Sequence, residues 1–352
     1  MLFKASKVLL DVIAHLQVSL SPGHLEATPG RFSGRGCSAV SRTAGVMTKR
    51  QAPEAEDMIA YFTDVEGDWE YFQRYVELAE ALSWTADRET LCLSEGWRFC
   101  FGGDAVDKAP GSVRCVRALV QLKKAYPDRV VLLLGNRDVN KMRLTSELAA
   151  PELASLAVPA PFWVPEARRV APLQYVKGVA AAAEGVSADK VTERMIRKHN
   201  TRAHRLRWIL KDTMGANGEF DRRRSELALL SGNPSSQITD EQVVGSYLEG
   251  VGECSGTGAG DWMRQLLELG QLAWLHRNTL FVHGGVVSCK YDASAPNGVR
   301  EESCIGHVPG RATRVAVTDR AGLEKWVDDL NTWKSSVSTT CMRLKLQKRN
   351  GP

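Results

Sequence analysis

The chain has 352 residues, more than twice a typical domain of about 150, and its 43% hydrophobic and 25% charged residues exclude a wholly disordered or collagen-like polymer. The net charge is +5, but residues 1–50 carry seven Lys and Arg against Asp11 and Glu26, and the remainder balances at 39 of each sign. The body of the chain therefore has no basic surplus that predicts a specific nucleic-acid partner, and no apolar run reaches the roughly 18 residues that span a bilayer.

Residues 1–56 open with a short apolar stretch, Val8 to Leu20, interrupted by Asp11 and His15, and continue as a Ser-, Gly- and Arg-rich segment to Arg50. The interruption does not suit a secretory signal, whereas Arg and Ser with few acids suit an organellar transit peptide. Met47 is an alternative start. The expectation is a disordered or targeting leader, organellar if the segment is a transit peptide and cytoplasmic otherwise. The eight cysteines (Cys37, Cys92, Cys100, Cys115, Cys254, Cys289, Cys304 and Cys341) form no C-x-x-C pair, which reads as free, mostly buried thiols in a reducing compartment.

From Met58 the texture changes to short apolar runs that end in Asp and Gly and alternate with helical patterns. Met58 to Thr63, Trp97 to Phe101, Arg129 to Leu134 and Thr279 to Val282 read as buried strands, and Trp69 to Leu82 and Ser112 to Ala125 as helices. Strands alternating with helices predict an α/β layered fold with function at the carboxyl ends of the strands. Residues 151–277 break that rhythm with Pro151, Pro159, Pro161, Pro165 and Pro172, an Ala-rich patch at Val179 to Ala183, and helical patterns at Asp189 to Lys211 and Asp261 to Leu275. The second pattern places Trp262, Leu266, Leu269 and Ala273 on one stripe. The division expected is a domain whose first half spans 57–150, a helical insertion or cap over 151–277, a short second half over 278–335, and a basic tail over 336–352. A helix is expected at Leu323 to Trp333, and Arg343 to Pro352 is patternless.

Each strand ends in a polar cluster: Asp64-Val-Glu66-Gly67-Asp68, then Gly102-Gly103-Asp104-Ala-Val-Asp107-Lys108, then Gly135-Asn136-Arg137-Asp138, and last Val282-His283-Gly284-Gly285. Carboxylate, amide and imidazole side chains are what hard and borderline divalent cations take as ligands, and glycine lets a loop fold tightly around them. One such cluster alone is ordinary turn chemistry. Four in this order resemble the calcineurin-like metallophosphoesterase superfamily, in particular its phosphoprotein phosphatase and diadenosine-tetraphosphate hydrolase-like branch, whose pattern runs D-x-H-G, G-D-x-V-D-R-G, G-N-H-E and H-G-G. The resemblance covers about residues 57–150 and 278–290.

The resemblance implies a layered metallophosphoesterase sheet with a mostly helical insertion, and a metal-dependent phosphoesterase that hydrolyses phosphomonoesters with a hydroxide bridging two metal ions. Carried over by position, Asp64 binds the first ion, Asp104 bridges both, and Asn136 and His283 bind the second. Asp107 would hold the loop, and Lys108 would meet phosphate where the family usually has arginine. Three departures qualify this. Glu66 replaces a histidine ligand, which favours manganese or magnesium over zinc or iron. Arg137 replaces the histidine that serves the leaving group, and a guanidinium clamps phosphate but gives up no proton, so Asp138 or a metal-bound water would have to supply it. Gly306-His307-Val308-Pro309 resembles the late element that supplies one more imidazole ligand, yet His307 follows His283 by only 24 residues.

The substrates implied are a phosphorylated small molecule, a nucleotide or a phosphoprotein. Two alternatives stay open: hydrolysis of a dinucleoside polyphosphate or nucleotide, and a binding protein that kept the fold with weakened catalysis. The seven Lys and Arg between Arg194 and Lys211, followed by Arg222 to Arg224, form either a basic cap that attracts phosphorylated substrates or, more simply, a solvated helix face.

Overall fold

Alternation within each strand decides how the layers stack. In the computed structural model, which describes residues 58–86, 88, 90–155, 160, 164, 166–252, 260–291 and 299–349, with backbone alone for 287–291, 299–302 and 338–349, strands β1 (Met58–Phe62), β4 (Trp97–Phe101) and β5 (Val130–Leu132) form a parallel sheet in the order β1-β4-β5. Ala60, Phe62, Phe99, Phe101, Val130 and Leu132 point to one face, while Ile59, Cys100, Val131 and Leu133 point to the other. That is the period-2 arrangement of strands buried on both sides. The expected leader lies outside the described residues.

The first face is covered by helices α1 (Trp69–Leu78) and α2 (Ser112–Ala125). Asp68 starts α1, its carboxylate accepting from the Tyr71 amide at 2.9 Å, so this last residue of the first cluster is an N-cap. Helix α1 ends at Leu78, short of the expected Leu82, because Leu82 begins β2 (Leu82–Trp84), which pairs antiparallel with β3 (Leu91–Leu93).

After β5 come three short helices, α3 (Asn136–Asn140), α4 (Leu144–Glu147) and α5 (Ala150–Ala154), and then the insertion. It comprises α6 (Pro172–Glu184), α7 (Glu193–His199), α8 (Arg202–Trp208), α9 (Glu219–Ser231) and α10 (Asp240–Gly250). The single helix expected over Asp189 to Lys211 is divided, because the Thr201 side chain caps a new start through the His204 amide. The insertion has its own apolar core, built on Leu144, Leu206, Trp208, Ile209, Phe220, Val243 and Tyr247, separate from the core beneath the sheet.

The insertion ends earlier than expected. Helix α11 (Trp262–Leu269) buries Trp262, Met263, Leu266 and Leu267 in the main core against α2, and Gly270 stops it. The chain then pairs with β5, Gln271 N to Leu132 O at 2.8 Å and Leu134 N to Gln271 O at 2.9 Å, and enters the hairpin β6 (Ala273–His276) and β7 (Thr279–Val282). Ala273 therefore lies on a strand, not on the helical stripe with Trp262.

This hairpin forms a third layer. Trp274 and Phe281 face the parallel sheet, with Phe281 also meeting the Tyr61 ring at 5.9 Å, while Ala273, Leu275, Leu280 and Val282 face the opposite way. Onto that opposite side packs α12 (Arg320–Arg349) through Trp326 and Val327, making a fourth layer. Asn331 of α12 accepts from the Leu272 amide and donates to Ala273 O, and Lys334 Nζ caps the last carbonyls of α11 at Leu267 and Glu268. The helix continues to Arg349, through the segment whose sequence showed no pattern. A further hairpin, β8 (Val287–Tyr291) and β9 (Val299–Ser303), separates the last strand cluster from His307. Among the described residues no helix is long and apolar enough to cross a membrane.

One carboxylate ties the two cores together. Helix α2 begins at Gly111 with no side-chain cap, and its first-turn amides on Val113 and Arg114 donate to Glu226 of α9 at 3.0 and 3.2 Å. Glu226 thereby supplies from the insertion the negative charge that a helix start attracts. It also lies 3.5 Å from the guanidinium of fully buried Arg223, which is held between the rings of Tyr247 and Trp262. Removing Glu226 leaves that buried cation without its nearest carboxylate and the α2 amides without their acceptor, so Glu226→Ala should cost about 3–5 kcal/mol of stability. Urea unfolding measures it. A loss below about 1 kcal/mol would show that the rings and the neighbouring acids Glu219 and Asp107 compensate Arg223.

Candidate functional site

The loops beyond β1, β4, β5 and β7 meet because the parallel register continues past the strands. Gly102 N donates to Phe62 O, Asp64 N to Gly103 O, Glu66 N to Asp104 O and Gly67 N to Ala105 O, at 2.7 to 3.0 Å. Following the register forces Asp64 (φ 53°), Glu66 (47°), Asp104 (57°), Asp107 (78°) and Lys108 (64°) into the left-handed region. Five of the seven non-glycine residues with positive φ among those described lie in these two loops. Each costs roughly 1–3 kcal/mol unless its surroundings enforce it, and such residues concentrate at functional sites.

The enforcement comes from Asp138. This fully buried carboxylate accepts three backbone amides: Asp104 at 3.0 Å and Gly135 at 2.9 Å on Oδ2, and Ala105 at 2.9 Å on Oδ1. Burial, followed by the charge of Asp104, pushes its carboxyl up to about 7. Both oxygens are engaged in bracing the β4 and β5 loops, which is the work of a positioning residue. The approach of those loops also explains two glycines. At Gly103 (φ 102°) a Cβ would come within 2.7 Å of the Gly135 nitrogen and of His283 Nδ1, and at Gly135 a Cβ would collide with the Asp104 carboxylate.

Strand alternation delivers the histidine. His283 continues the face of Phe281, toward the parallel sheet, and its Nδ1 lies 2.8 Å from Gly102 O. A carbonyl only accepts, so Nδ1 carries a proton toward it and Nε2 is the nitrogen turned to the acidic cluster. That nitrogen faces Asn136 Oδ1 at 3.3 Å and Asp104 Oδ1 at 3.5 Å. Ligand atoms of Asp64, Asp104 and His283 all lie within 4.8 Å of one another, and Asn136 adjoins them through His283. The Thr63 hydroxyl fixes Asp64 by donating to Oδ2 at 2.6 Å. An assembly of acceptors facing one another, with its imidazole tautomer set by a backbone carbonyl, fits a divalent cation.

Glu66 and His307 do not join this group. Glu66 Oε1 is taken by two cations, Lys108 Nζ at 2.5 Å and Arg137 Nε at 2.9 Å. Its expected place as a ligand is thus filled by an ion pair, and the two cations expected to clamp phosphate both rest on it. His307 lies in the turn after β9, where its carbonyl accepts from the Trp326 indole at 2.9 Å and its neighbour Val308 is buried against α12. The β8–β9 hairpin intervenes, so the 24-residue spacing does not carry His307 into the cluster of Asp64, Asp104 and His283.

Arg137 reaches three acids. Besides Glu66, its Nε is 3.5 Å from Asp104 Oδ2 and its Nη1 3.7 Å from Asp107 Oδ2, while its own amide donates to Asp104 Oδ1 at 3.0 Å. Asp107 is fully buried and pairs with equally buried Lys141 at 2.7 Å. Lys141 was not anticipated, although its position four residues after Arg137 places both cations on one side of a helical turn. Beneath them Glu219 of the insertion accepts from Tyr247 and Arg222, each at 3.2 Å. Many basic residues of the insertion pair internally, Arg207 with Asp221, Arg224 with Asp240, Arg197 with Glu193 and Lys198 with Glu184, while Arg205 and Arg223 are buried, so the segment is neither a free basic cap nor wholly a solvated face.

Comparison with family models, with curated proteins and with solved structures finds no match.

Burial, then the charge of Asp107, pushes the Glu219 carboxyl from its ordinary 4.5 up to about 7. The folded protein therefore holds this proton more tightly than the unfolded chain. Glu219 contributes most below about pH 4.5, and its contribution is lost as pH rises through about 7. Glu219→Gln removes that dependence, so the variant's stability relative to wild type should rise between pH 4.5 and 7 in denaturant titrations. A difference that stays constant across this window would contradict the assignment.

Proposed function

We propose that this chain is a metal-dependent phosphoesterase acting on phosphomonoesters. The observation that carries the reading is the convergence of Asp64, Asp104 and His283 at the carboxyl ends of three strands. Asp64, Asp104, His283 and Asn136 would hold the ion, with Gly102 O and Thr63 Oγ1 orienting two of those ligands. A divalent ion bound there, manganese or magnesium by the preference of oxygen-rich sites, supplies Lewis-acid polarisation of a phosphoryl oxygen and acidifies water.

The remaining chemistry belongs to the chain. Arg137 presents a guanidinium whose buried Nη1 has no hydrogen-bond partner, and Lys108 is about half exposed beside it. Together they can neutralise charge that develops on phosphate oxygens. Arg137 cannot protonate a departing alkoxide at neutral pH, because the guanidinium does not release its proton, and both oxygens of Asp138 are engaged with amides. Substrates whose leaving group needs no proton, aryl phosphates and phosphoanhydrides, are thus the ones this geometry serves best. The same lack of an acid favours, as the second reading, a cation- and phosphate-binding protein without turnover.

Purified protein assayed with added manganese should hydrolyse an aryl phosphate faster than phosphoserine. Asp64→Asn and His283→Ala should reduce that activity to background. Arg137→His should raise alkyl-phosphate turnover, by up to the order of 10²-fold that general acid catalysis supplies. Manganese binding with no hydrolysis of any phosphoester would favour the binding protein. If Arg137→His lowers alkyl-phosphate turnover, Arg137 does not stand where an acid is missing.

A further inference from the structure

The two oxygens of Asp104 face different partners. Oδ1 lies 3.5 Å from His283 Nε2 and accepts the Arg137 amide, while Oδ2 lies 3.5 Å from the Arg137 guanidinium. We propose that the centre holds a single divalent cation, on the side of Asp64 and His283, and that the Arg137 guanidinium occupies the place a second would take. The proposal rests on the metal-dependent reading above and specifies how many ions that site accepts.

Three observations support it. First, Arg137 is fixed from several directions. Glu66 accepts from Nε at 2.9 Å, Asp107 lies 3.7 Å from Nη1, and Lys141 donates to the Arg137 carbonyl at 3.2 Å. A cation on Asp104 Oδ2 would have to expel a side chain whose charge is already compensated. Second, Glu66, whose Oε1 meets the same Arg137 Nε that faces Asp104 Oδ2, is occupied by Arg137 and Lys108. Third, cations already stand among these acids, Lys108 and Arg137 on Glu66 and Lys141 on Asp107, and each further divalent ion adds two positive charges beside them. Like charges crowded into a buried site disfavour the second ion.

The test is metal stoichiometry, which needs no turnover. The full chain is dialysed to equilibrium against saturating manganese, bound metal is measured by elemental analysis, and the electron paramagnetic resonance spectrum is recorded. One ion per chain, with the uncoupled spectrum of an isolated manganese, is expected, and Asp64→Asn should lose it. Arg137→His should bind two ions that show spin coupling, because it removes the guanidinium, leaves Glu66 to the half-exposed Lys108 alone and adds an imidazole. Two ions in the wild-type chain, or one ion in a folded Arg137→His chain, overturns the proposal while leaving the metal-dependent reading intact. If Arg137→His does not fold, the wild-type count still decides. No bound manganese in the wild type overturns the metal-dependent reading, and this inference with it.

Discussion

Three backbone amides converge on the carboxylate of Asp138, and the rest of the site depends on that convergence. They come from Gly135 at the end of β5 and from Asp104 and Ala105 at the end of β4. With the two loops locked together, Asp104 can remain left-handed, and its carboxylate can lie within reach of His283 and Arg137. A buried carboxylate is costly to desolvate, and three amide donors are what make it tolerable. Its raised pKa is the residue of that cost. Asparagine at this position could not accept all three bonds with equal strength, since one end of its amide only donates.

The layers extend the same logic outward. The hairpin β6–β7 contributes the histidine, and α12 holds the hairpin through Asn331, Trp326 and Val327. On the other face α2 receives its first-turn charge from Glu226 of the insertion. The insertion is thus coupled to the site by buried charge: Glu219 lies in the field of Asp107, which pairs with Lys141 directly beneath Arg137. The two apolar cores are separate, and buried charged groups stand between them.

Strands and strand-end clusters were legible because both are local. Short apolar runs locate β1, β4, β5 and β7, and Asp, Asn and Gly after them mark the loops that carry Asp64, Asp104 and Asn136. Contacts between distant segments were not legible. Asp138 beside Arg137 reads as an acid or an ion-pair partner until the fold brings three amides to it. Glu66 reads as a ligand until Lys108 and Arg137, 42 and 71 residues away, are seen to share it. The end of the insertion was misplaced for a related reason. The helical period of α11 marks its helix but not the core it packs in, and the strand pairing at Gln271 that follows is a long-range choice. His307 shows the converse, a local motif match whose position in space is decided by the hairpin that precedes it.

The central claim is that Asp64, Asp104 and His283 form the walls of a cation site. Anomalous diffraction at the manganese absorption edge, from crystals of the full chain grown with manganese, tests it most directly. The account predicts a peak in direct contact with the Asp64 and Asp104 carboxylates and His283 Nε2. An ordered site with no anomalous peak between these three side chains, or with manganese bound only at other acidic positions, would contradict it.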